Sequence, residues 1–182
     1  GRPWFEPIVA SCPRSSRPHA RTSARSICAG EILLFYMGVN IRGYNSDLTR
    51  TFFIEEVSSE FEKIYLLLLE AEKRVMESIA AGRKASAADE TVREYLREEG
   101  YGSFFGHALG HGVGLEVHEK PSLSCRSADT FREGMTFTIE PGVYRPGDGG
   151  VRIEDTVLLG CDGCRTLTKF PKDLNSMVII EK

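Results

Sequence analysis

Three of the four histidines of the chain lie close together in the segment GHALGHGVGLEVHE. They are His107, His111 and His118, and four glycines are interleaved with them. A single histidine is usually a structural or surface residue, but three within positions 107 to 118 are harder to explain in that way. Glycines permit close backbone approach and unusual dihedral angles, which a site needs more often than a core does. The segment therefore indicates a catalytic or metal-binding site.

Carboxylates that could accompany these histidines occur in a predicted β-hairpin. Two strand-like runs, MTFTIEPGVY and GVRIEDTVLLG, are joined by RPGDGG. A turn centred on Gly147 places Glu140 opposite Glu154 across the strands. Like charges that oppose each other destabilise a sheet, so the pair either shares a proton or holds a metal ion. The alternative is a register shifted by one residue, which turns one glutamate to solvent.

A second predicted hairpin, ILLFYMGVNIRGYNSDLTRTF at positions 32–52, contributes an aspartate. If its turn is centred between Ile41 and Arg42, Tyr36 lies opposite Asp47, with Cβ atoms about 5 Å apart. The pair is either an ordinary hydrogen-bonded pair or half of a site that would normally have two carboxylates. Neutral imidazole with several carboxylates suits Mn²⁺, Fe²⁺ or Co²⁺, with Zn²⁺ as an alternative.

The elements that must position these residues are strands with two helices between them. A capping box at Ser59 predicts a first helix that ends near Gly82, and a second helix is predicted from Ser86 or Ala87 to Gly100. The two hairpins lie on either side of this helical region. Two β-rich halves around two helices predict the α+β class.

Composition narrows the class of protein. The chain has 182 residues, 41% of them hydrophobic and 27% charged, with a net charge of −3, and this predicts one globular domain with neither nucleic acid nor a membrane as partner. No apolar run approaches the roughly 18 residues that span a bilayer, and no signal peptide opens the chain. The five scattered cysteines indicate a reducing compartment, the cytoplasm.

Two of these cysteines, Cys161 and Cys164, form a CxxC motif that is compatible with a zinc knuckle or a redox pair. No second pair of metal ligands accompanies them. Asp162 and Gly163 separate the two cysteines between two strand-like runs, which is a strong hairpin signal. The motif therefore predicts a turn.

Several segments resemble the signature segments of the pita-bread metallopeptidases. GYNSDLTRTF, GHALGHGVGLEVHEKP, GMTFTIEPGVY and GGVRIEDTVLL follow the family's order, and FEPIVAS and RPHA match near the start. VRIED and SDLTRT favour the Xaa-Pro peptidase branch, aminopeptidase P and prolidase, over methionine aminopeptidases. The resemblance implies the pita-bread fold and one catalytic domain over residues 1–182. We expect this domain to lack the opening helical part and the separate N-terminal domain that many members have.

The resemblance implies a metal site. Asp47, His111, Glu140 and Glu154 match the metal ligands of the family, and Asp47 and Glu154 match those that bridge two ions. Glu140 also matches the acid–base group of the reaction.

Four further positions match residues around the family's metal site. His118 resembles the histidine that contacts the substrate and the tetrahedral intermediate. His107 and His19 match the other active-site histidines, and His107 is an alternative to His118 for oxyanion stabilisation. Arg152 matches an arginine that is usually charge-paired near the metals. We therefore expect Glu140, His118 and His107 to be catalytic, and His19, His118 and Arg152 to bind substrate.

One ligand of the family pattern is replaced. The family has an aspartate eleven residues before the bridging aspartate, and this chain has Tyr36 at that position. The missing aspartate is the ligand that belongs to the second metal alone. A tyrosine would bind metal only as phenolate, which is costly because its ordinary pKa is about 10. We therefore expect one ion rather than two.

The resemblance implies a metal-dependent hydrolase that cleaves the Xaa-Pro bond of dipeptides or short peptides. Mn²⁺ is the expected ion, and a homodimer is inferred from relatives. Two alternatives stay open, a degenerate pita-bread domain that binds peptides or proteins and a creatinase-like hydrolase that needs no metal. The chain loses one ligand and keeps every histidine, which favours the peptidase.

Overall fold

The computed structural model describes residues 2–3 and 5–180 and contains two large β-sheets and two α-helices. The helices are α1 (Ser59–Ser78) and α2 (Ala85–Glu98). The strands are β1 (Arg2–Pro3), β2 (Ile8–Ser11), β3 (Ile32–Met37), β4 (Val39–Ile41), β5 (Tyr44–Asn45), β6 (Leu48–Ile54), β7 (Gly110–Gly112), β8 (Glu119–Leu123), β9 (Thr136–Ile139), β10 (Gly142–Arg145), β11 (Gly149–Arg152), β12 (Asp155–Gly160), β13 (Gly163–Thr166) and β14 (Val178–Ile179).

The strands before the helices and those after them form separate sheets. One large sheet has the order β14-β6-β3-β2, and the other has the order β13-β12-β9-β7-β8. Two smaller sheets have the orders β1-β4-β5 and β10-β11. An isolated antiparallel bridge between Thr49 and Glu154 joins β6 to the residue before β12. The predicted α+β class, with two β-rich halves and two helices, is confirmed.

The hairpin that carries Glu140 and Glu154 has the predicted register. Gly142 pairs with Arg152, and the ladder of β9 with β12 continues the same register beyond it. Gly147 has a φ of +89°, so the turn is centred where only glycine adopts the backbone without strain. The two glutamates lie opposite each other at the junction of the two ladders.

The register predicted for the first hairpin is wrong by two residues. Tyr36 pairs with Thr49, so Asp47 lies diagonally across from it rather than directly opposite. The turn is centred on Arg42 and Gly43, whose φ angles of 54° and 89° are those of a type I′ turn. A shift of two residues keeps every side chain on its predicted face, because side chains alternate with period two. Tyr36 and Asp47 therefore still meet.

The first helix begins one residue earlier than predicted. Ser58 is the N-cap, since its side-chain oxygen accepts a hydrogen bond from the backbone N of Phe61, and Ser59 is already helical. The helix ends at Ser78, before the predicted Gly82, because Ile79 has extended backbone angles.

Both helices pack on the second large sheet and on each other. The second helix begins at Ala85, next to the predicted start, and Gly100, with a φ of +85°, follows its end as predicted. Its buried face, which includes Val92 and Leu96, belongs to a continuous hydrophobic core. Other buried members of this core are Ile64, Leu68, Val75, Leu109, Leu123, Phe131, Phe137, Ile139, Val151 and Val157.

The CxxC motif forms the predicted hairpin turn. Gly160 pairs with Gly163 and Leu159 pairs with Cys164, which leaves Cys161 in the turn between β12 and β13. Both cysteines are free thiols. Among the described residues, neither helix is long and apolar enough to cross a membrane.

We expect Gly43→Ala to lower the free energy of unfolding by about 1 kcal/mol, because a non-glycine residue with positive φ is strained. Gly106→Ala is a matched control. Neither glycine has an atom within 4 Å of an added Cβ, but only Gly43 has positive φ. Urea denaturation of both variants measures the difference. Equal midpoints for the two variants would contradict the proposed strain at this turn.

Candidate metal centre

Asp47 lies in the short connection just before β6 and is 1% exposed. Its Oδ2 accepts a hydrogen bond of 3.2 Å from the hydroxyl of Tyr36. Its Oδ1 is buried and has no hydrogen-bond partner among the described residues. A buried carboxylate oxygen without a partner is costly, so this oxygen requires a proton or a cation.

Glu154 reaches the same point from the other half of the molecule. The bridge to Thr49 fixes its backbone, and its Oε2 accepts a hydrogen bond from the Thr49 hydroxyl. Its Oε1 is buried and, like Oδ1 of Asp47, has no partner within the described part of the chain.

His111 points a ring nitrogen at these carboxylates. Its Nδ1 lies 3.1 Å from the carbonyl oxygen of Gly112, and a carbonyl can only accept, so Nδ1 carries the hydrogen. Burial lowers the pKa of this imidazole, which keeps it neutral. The lone pair of Nε2 is therefore free, at 3.6 Å from Asp47 Oδ2 and 3.4 Å from Glu140 Oε1. A neutral imidazole fixed by a backbone carbonyl is a typical metal-ligand arrangement.

The glycines of the histidine segment let β7 approach its neighbours closely, as the sequence suggested. A Cβ on Gly110 would lie 2.1 Å from the carbonyl oxygen of Thr138, and a Cβ on Gly112 would lie 2.2 Å from that of Lys120. Both contacts are with backbone, which cannot move aside. The glycines thus set the depth of His111 in the sheet.

The donors converge as a metal site requires. One ligand atom each from Asp47, His111 and Glu154 lie within 4.8 Å of one another. The fourth predicted ligand is Glu140, whose Oε1 lies 3.4 Å from His111 Nε2. The same oxygen accepts a hydrogen bond of 3.2 Å from the Thr138 hydroxyl. Oxygen-rich donors with one imidazole, two unpaired oxygens among them, fit a divalent cation.

Without a cation, the carboxylates of the site resist ionisation. Burial, followed by the charge of Glu154, raises the pKa of Asp47 to about 8. The same two causes hold the pKa of Glu140 well above its usual range, and burial raises the pKa of Glu154. The cluster therefore holds protons at neutral pH that a dication would displace.

Tyr36 is a neutral hydrogen-bond donor in this cluster. Burial, then the charge of Asp47, raises the pKa of its phenol far above the ordinary value. Its ring contacts that of Phe5, with centroids 4.6 Å apart, and the guanidinium carbon of Arg152 lies 5.0 Å from its centroid. A phenol that keeps its proton is a poor ligand for a second cation.

His107 and Arg152 are linked through a tyrosine that the sequence interpretation missed. His107 Nδ1 lies 2.7 Å from the Ala108 carbonyl oxygen, so its Nε2 accepts from the Tyr144 hydroxyl at 2.9 Å. That hydroxyl also accepts from Arg152 Nη1 at 3.3 Å. Burial lowers the pKa of His107 to about 4, so it is neutral and has no hydrogen left to donate. These contacts favour an orienting role for His107.

Tyr144 and Thr49 gave no clear sequence signal, although both contact predicted site residues. Thr49 accepts from Arg152 Nε at 2.9 Å while it donates to Glu154. Tyr144 is buried on β10, next to Gly142 and Gly150, and its ring would lie within 3 Å of a Cβ at either glycine. The two glycines are the only sequence feature that indicates a large buried side chain at this point.

All four histidines line one cleft of about 570 Å³. His118 lies on its rim, with its ring centroid 4.1 Å from that of His111. Burial, then Arg152 and His118, lowers the pKa of His19, which is also on the rim. Glu140 lines the same cleft, which therefore combines imidazoles with a buried carboxylate and suits a polar ligand.

Residues 1–160 match the model of metallopeptidase family M24. The chain belongs to this family. It is 44% identical to the Xaa-Pro dipeptidase of Pyrococcus furiosus over 173 residues, which are 95% of this chain and 50% of the relative. The Xaa-Pro dipeptidase of Pyrococcus horikoshii is also 44% identical over 173 residues, which are 95% of this chain and 49% of the relative. The chain spans about half the length of these curated M24 relatives.

Solved structures of M24 relatives share the fold. The Xaa-Pro dipeptidase from Bacillus anthracis aligns with a TM-score of 0.93 at 43% identity, over 97% of this chain and 49% of that one. The X-Pro aminopeptidase from Thermotoga maritima aligns with a TM-score of 0.92 at 39% identity, over 98% of this chain and 50% of that one. The predicted pita-bread fold is therefore confirmed.

A more distant match shows the fold alone. The N-terminal domain of FACT complex subunit SPT16 from Eremothecium gossypii aligns with a TM-score of 0.88 at 21% identity. The alignment covers 98% of this chain and 43% of that one.

We expect the stability of the metal-free chain to fall, relative to Asp47→Asn, as the pH rises from about 4 to 8. The folded-state pKa of Asp47, about 8, is above its ordinary 3.8, so folding takes up a proton in this window. Stability from such a group is complete below the lower value and is lost as the pH rises through the upper one. Urea denaturation with a chelator present measures both proteins.

A saturating divalent cation is the control for this titration. It replaces the protons, so the wild type should gain stability over Asp47→Asn as the pH rises. Parallel pH profiles of the two proteins with chelator would show that Asp47 is not a perturbed carboxylate.

Proposed function

We propose that this chain is the catalytic part of a metal-dependent peptidase that cleaves the bond before proline in dipeptides or short peptides. The observation that carries the proposal is the convergence of Asp47, His111 and Glu154, with two buried oxygens left unpaired, in a member of family M24. Relatives named Xaa-Pro dipeptidase support the substrate class. The retained donor set favours a peptidase over a binding module or a metal-free hydrolase.

The residues proposed to hold the cation are Asp47, His111, Glu140 and Glu154. Three ionised carboxylates carry a charge of −3. With one dication the site would have a net charge of −1, and with two dications it would have a net charge of +1. Since the Tyr36 hydroxyl satisfies one Asp47 oxygen and leaves the other free, we propose one ion. Mn²⁺ is the proposed ion because the donors are mainly carboxylate oxygens.

A divalent cation held there would polarise the scissile carbonyl and acidify a water molecule. In the proposed reaction Glu140 accepts a proton from the attacking water, whose hydroxyl adds to the carbonyl carbon. The carbon–nitrogen bond to proline then breaks, and Glu140 passes the proton to the leaving nitrogen. The Oε1 of Glu140 lies 3.4 Å from Nε2 of His111, which places this carboxylate beside the proposed cation and its water.

The cleft wall supplies the remaining roles. We propose that His118 donates a hydrogen bond to the carbonyl oxygen as negative charge develops there, since its ring lies beside His111. His19 and Arg152, which also line the cleft, are proposed to contact the substrate. His107 is proposed to hold the Tyr144 hydroxyl against Arg152.

The homodimer and the cytoplasmic location stay predictions, and light scattering on the purified chain tests the first of them. The predicted absence of nucleic-acid and membrane partners is likewise untested.

We expect Glu140→Gln to keep the fold and to retain one metal ion weakly, because the amide oxygen can still ligate. The rate of Xaa-Pro cleavage should fall by at least ~10²-fold, the scale expected for loss of a positioned general base. Glu6→Gln is a matched control, since Glu6 lines the same cleft but is exposed. Turnover of a proline dipeptide, with elemental analysis of each variant, decides the outcome. Unchanged turnover in Glu140→Gln would remove Glu140 from the mechanism.

We expect Tyr36→Asp to raise the metal content from about one to about two ions per chain, because a fourth carboxylate balances two dications. The variant should also lose stability when metal is removed, since a buried charge replaces a phenol. Tyr36→Phe is the control, because it keeps the ring and removes only the hydroxyl that donates to Asp47. It should bind one ion. Two tightly bound ions in the wild type, measured by calorimetry, would contradict the one-ion proposal.

A further inference from the structure

The loop that carries His118 has little packing of its own. It connects β7 to β8, and none of the residues at positions 114–118 is buried. Leu115, its largest apolar residue, is 68% exposed. Within the loop, Gly114 N donates to Glu116 O at 3.0 Å, and Glu116 N donates to the Glu119 carboxylate at 3.0 Å. Segments with few buried contacts open easily, so His118 needs a fastening from outside the loop.

Asn45, almost seventy positions earlier in the chain, supplies that fastening. Its backbone N donates to Gly114 O at 2.8 Å. Its side-chain Nδ2 donates to Leu115 O at 2.9 Å and to Gly114 O at 3.3 Å. Each bond is to a backbone carbonyl, so the loop is held whatever its side chains are.

The orientation of the Asn45 amide is itself fixed. Asn40 lies opposite Asn45 in the pairing of β4 with β5, and its Nδ2 donates to Asn45 Oδ1 at 2.8 Å. Asn40 Oδ1 in turn accepts from Gly43 N at 3.2 Å. Since a backbone N–H can only donate, this chain of bonds determines which atom of each amide is the oxygen. The donor of Asn45 is therefore directed at the loop.

We propose that Asn45 is a positioning residue that holds the 114–118 loop, and with it His118, against the cleft. The hairpin of β4 and β5 and the His118 wall then form one unit, fastened by two asparagines. The effect on rate rests on the proposed peptidase function, whereas the effect on the loop does not.

Hydrogen exchange measured by mass spectrometry tests the loop directly. In Asn45→Ala and Asn45→Asp, amides at positions 114–118 should exchange several-fold faster than in the wild type, because both variants lose the side-chain donor to Leu115 O and keep only the backbone bond to Gly114 O. Amides of α2 should be unchanged. Tyr44→Ser is the matched control, since Tyr44 is the neighbour of Asn45 and is 64% exposed. Unchanged exchange of the loop in both Asn45 variants would overturn the proposal.

A double-mutant cycle separates positioning from general damage. Asn45→Ala should lower kcat/KM for a proline dipeptide about tenfold in the wild type and have no further effect in His118→Ala. Its Mn²⁺ affinity should stay within about threefold of the wild type, because the lost hydrogen bonds go to the loop and not to the metal ligands. An equal loss in both backgrounds, or loss of Mn²⁺ binding, would show that Asn45 acts through Asp47 or the fold.

Two other results are possible, namely that Asn45→Ala does not fold and that the wild type has no peptidase activity. If Asn45→Ala does not fold, Asn40→Ala replaces it, because that variant frees the Asn45 amide without removing it, and a smaller rise in loop exchange is expected. If the wild type cleaves no proline peptide, the proposed function fails, and the exchange experiment alone decides the role of Asn45.

Discussion

The bridge between Thr49 and Glu154 is the contact on which the site depends, because it joins the two large sheets directly behind the carboxylates. Glu154 N donates to Thr49 O at 3.2 Å. The Arg50 guanidinium donates to the carbonyl oxygens of the same two residues, at 2.9 Å to Thr49 and 2.8 Å to Glu154. Arg50 is 1% exposed, and Asp155 balances its charge at 2.6 Å. Removing such a buried cation would leave several acceptors unpaired. The strands that present Asp47 and Glu154 are thus held together from behind.

The same guanidinium connects the end of the chain to the site. Arg50 also donates to the carbonyl oxygens of Phe170 and Pro171, both at 2.8 Å. Lys172 continues the network, since its Nζ lies 2.6 Å from Asp155 and 2.8 Å from Glu72 on α1. Opposite charges alternate on the back of the bridge, whereas its front has carboxylates in excess. This asymmetry is what makes the front, and not the back, suited to a cation.

Local sequence patterns predicted those parts of the site that local chemistry determines. The register around Glu140 and Glu154 followed from Gly147, because that turn requires a glycine. The predicted turn of the first hairpin had Ile41 and Arg42 at its centre, whereas the structure has Arg42 and Gly43 there. A type I′ turn requires positive φ at both central positions, which glycine adopts readily and β-branched isoleucine does not. A shift of two residues keeps the side chains on their predicted faces, so Tyr36 and Asp47 still meet.

Contacts between distant segments were not predictable in this way. Tyr144 reaches His107, and Asn45 reaches Leu115, only after both halves have folded and met. Polar residues in turns usually satisfy their own backbone, so an asparagine in a hairpin tip reads as a turn residue. Nothing in its local sequence indicates a partner some seventy residues away.

Tyr36 shows how a neutral side chain is accommodated among the carboxylates of the site. Its hydroxyl donates to one oxygen of Asp47, a carboxylate that is otherwise deeply buried. Its ring packs beside that of Phe5 and faces the guanidinium of Arg152 in a cation–π contact. These contacts are made by the side chain of Tyr36 alone, so they do not disturb the backbone bridge from Thr49 to Glu154. A neutral donor at this position thus satisfies one oxygen of Asp47 and leaves the other, Oδ1, for a cation.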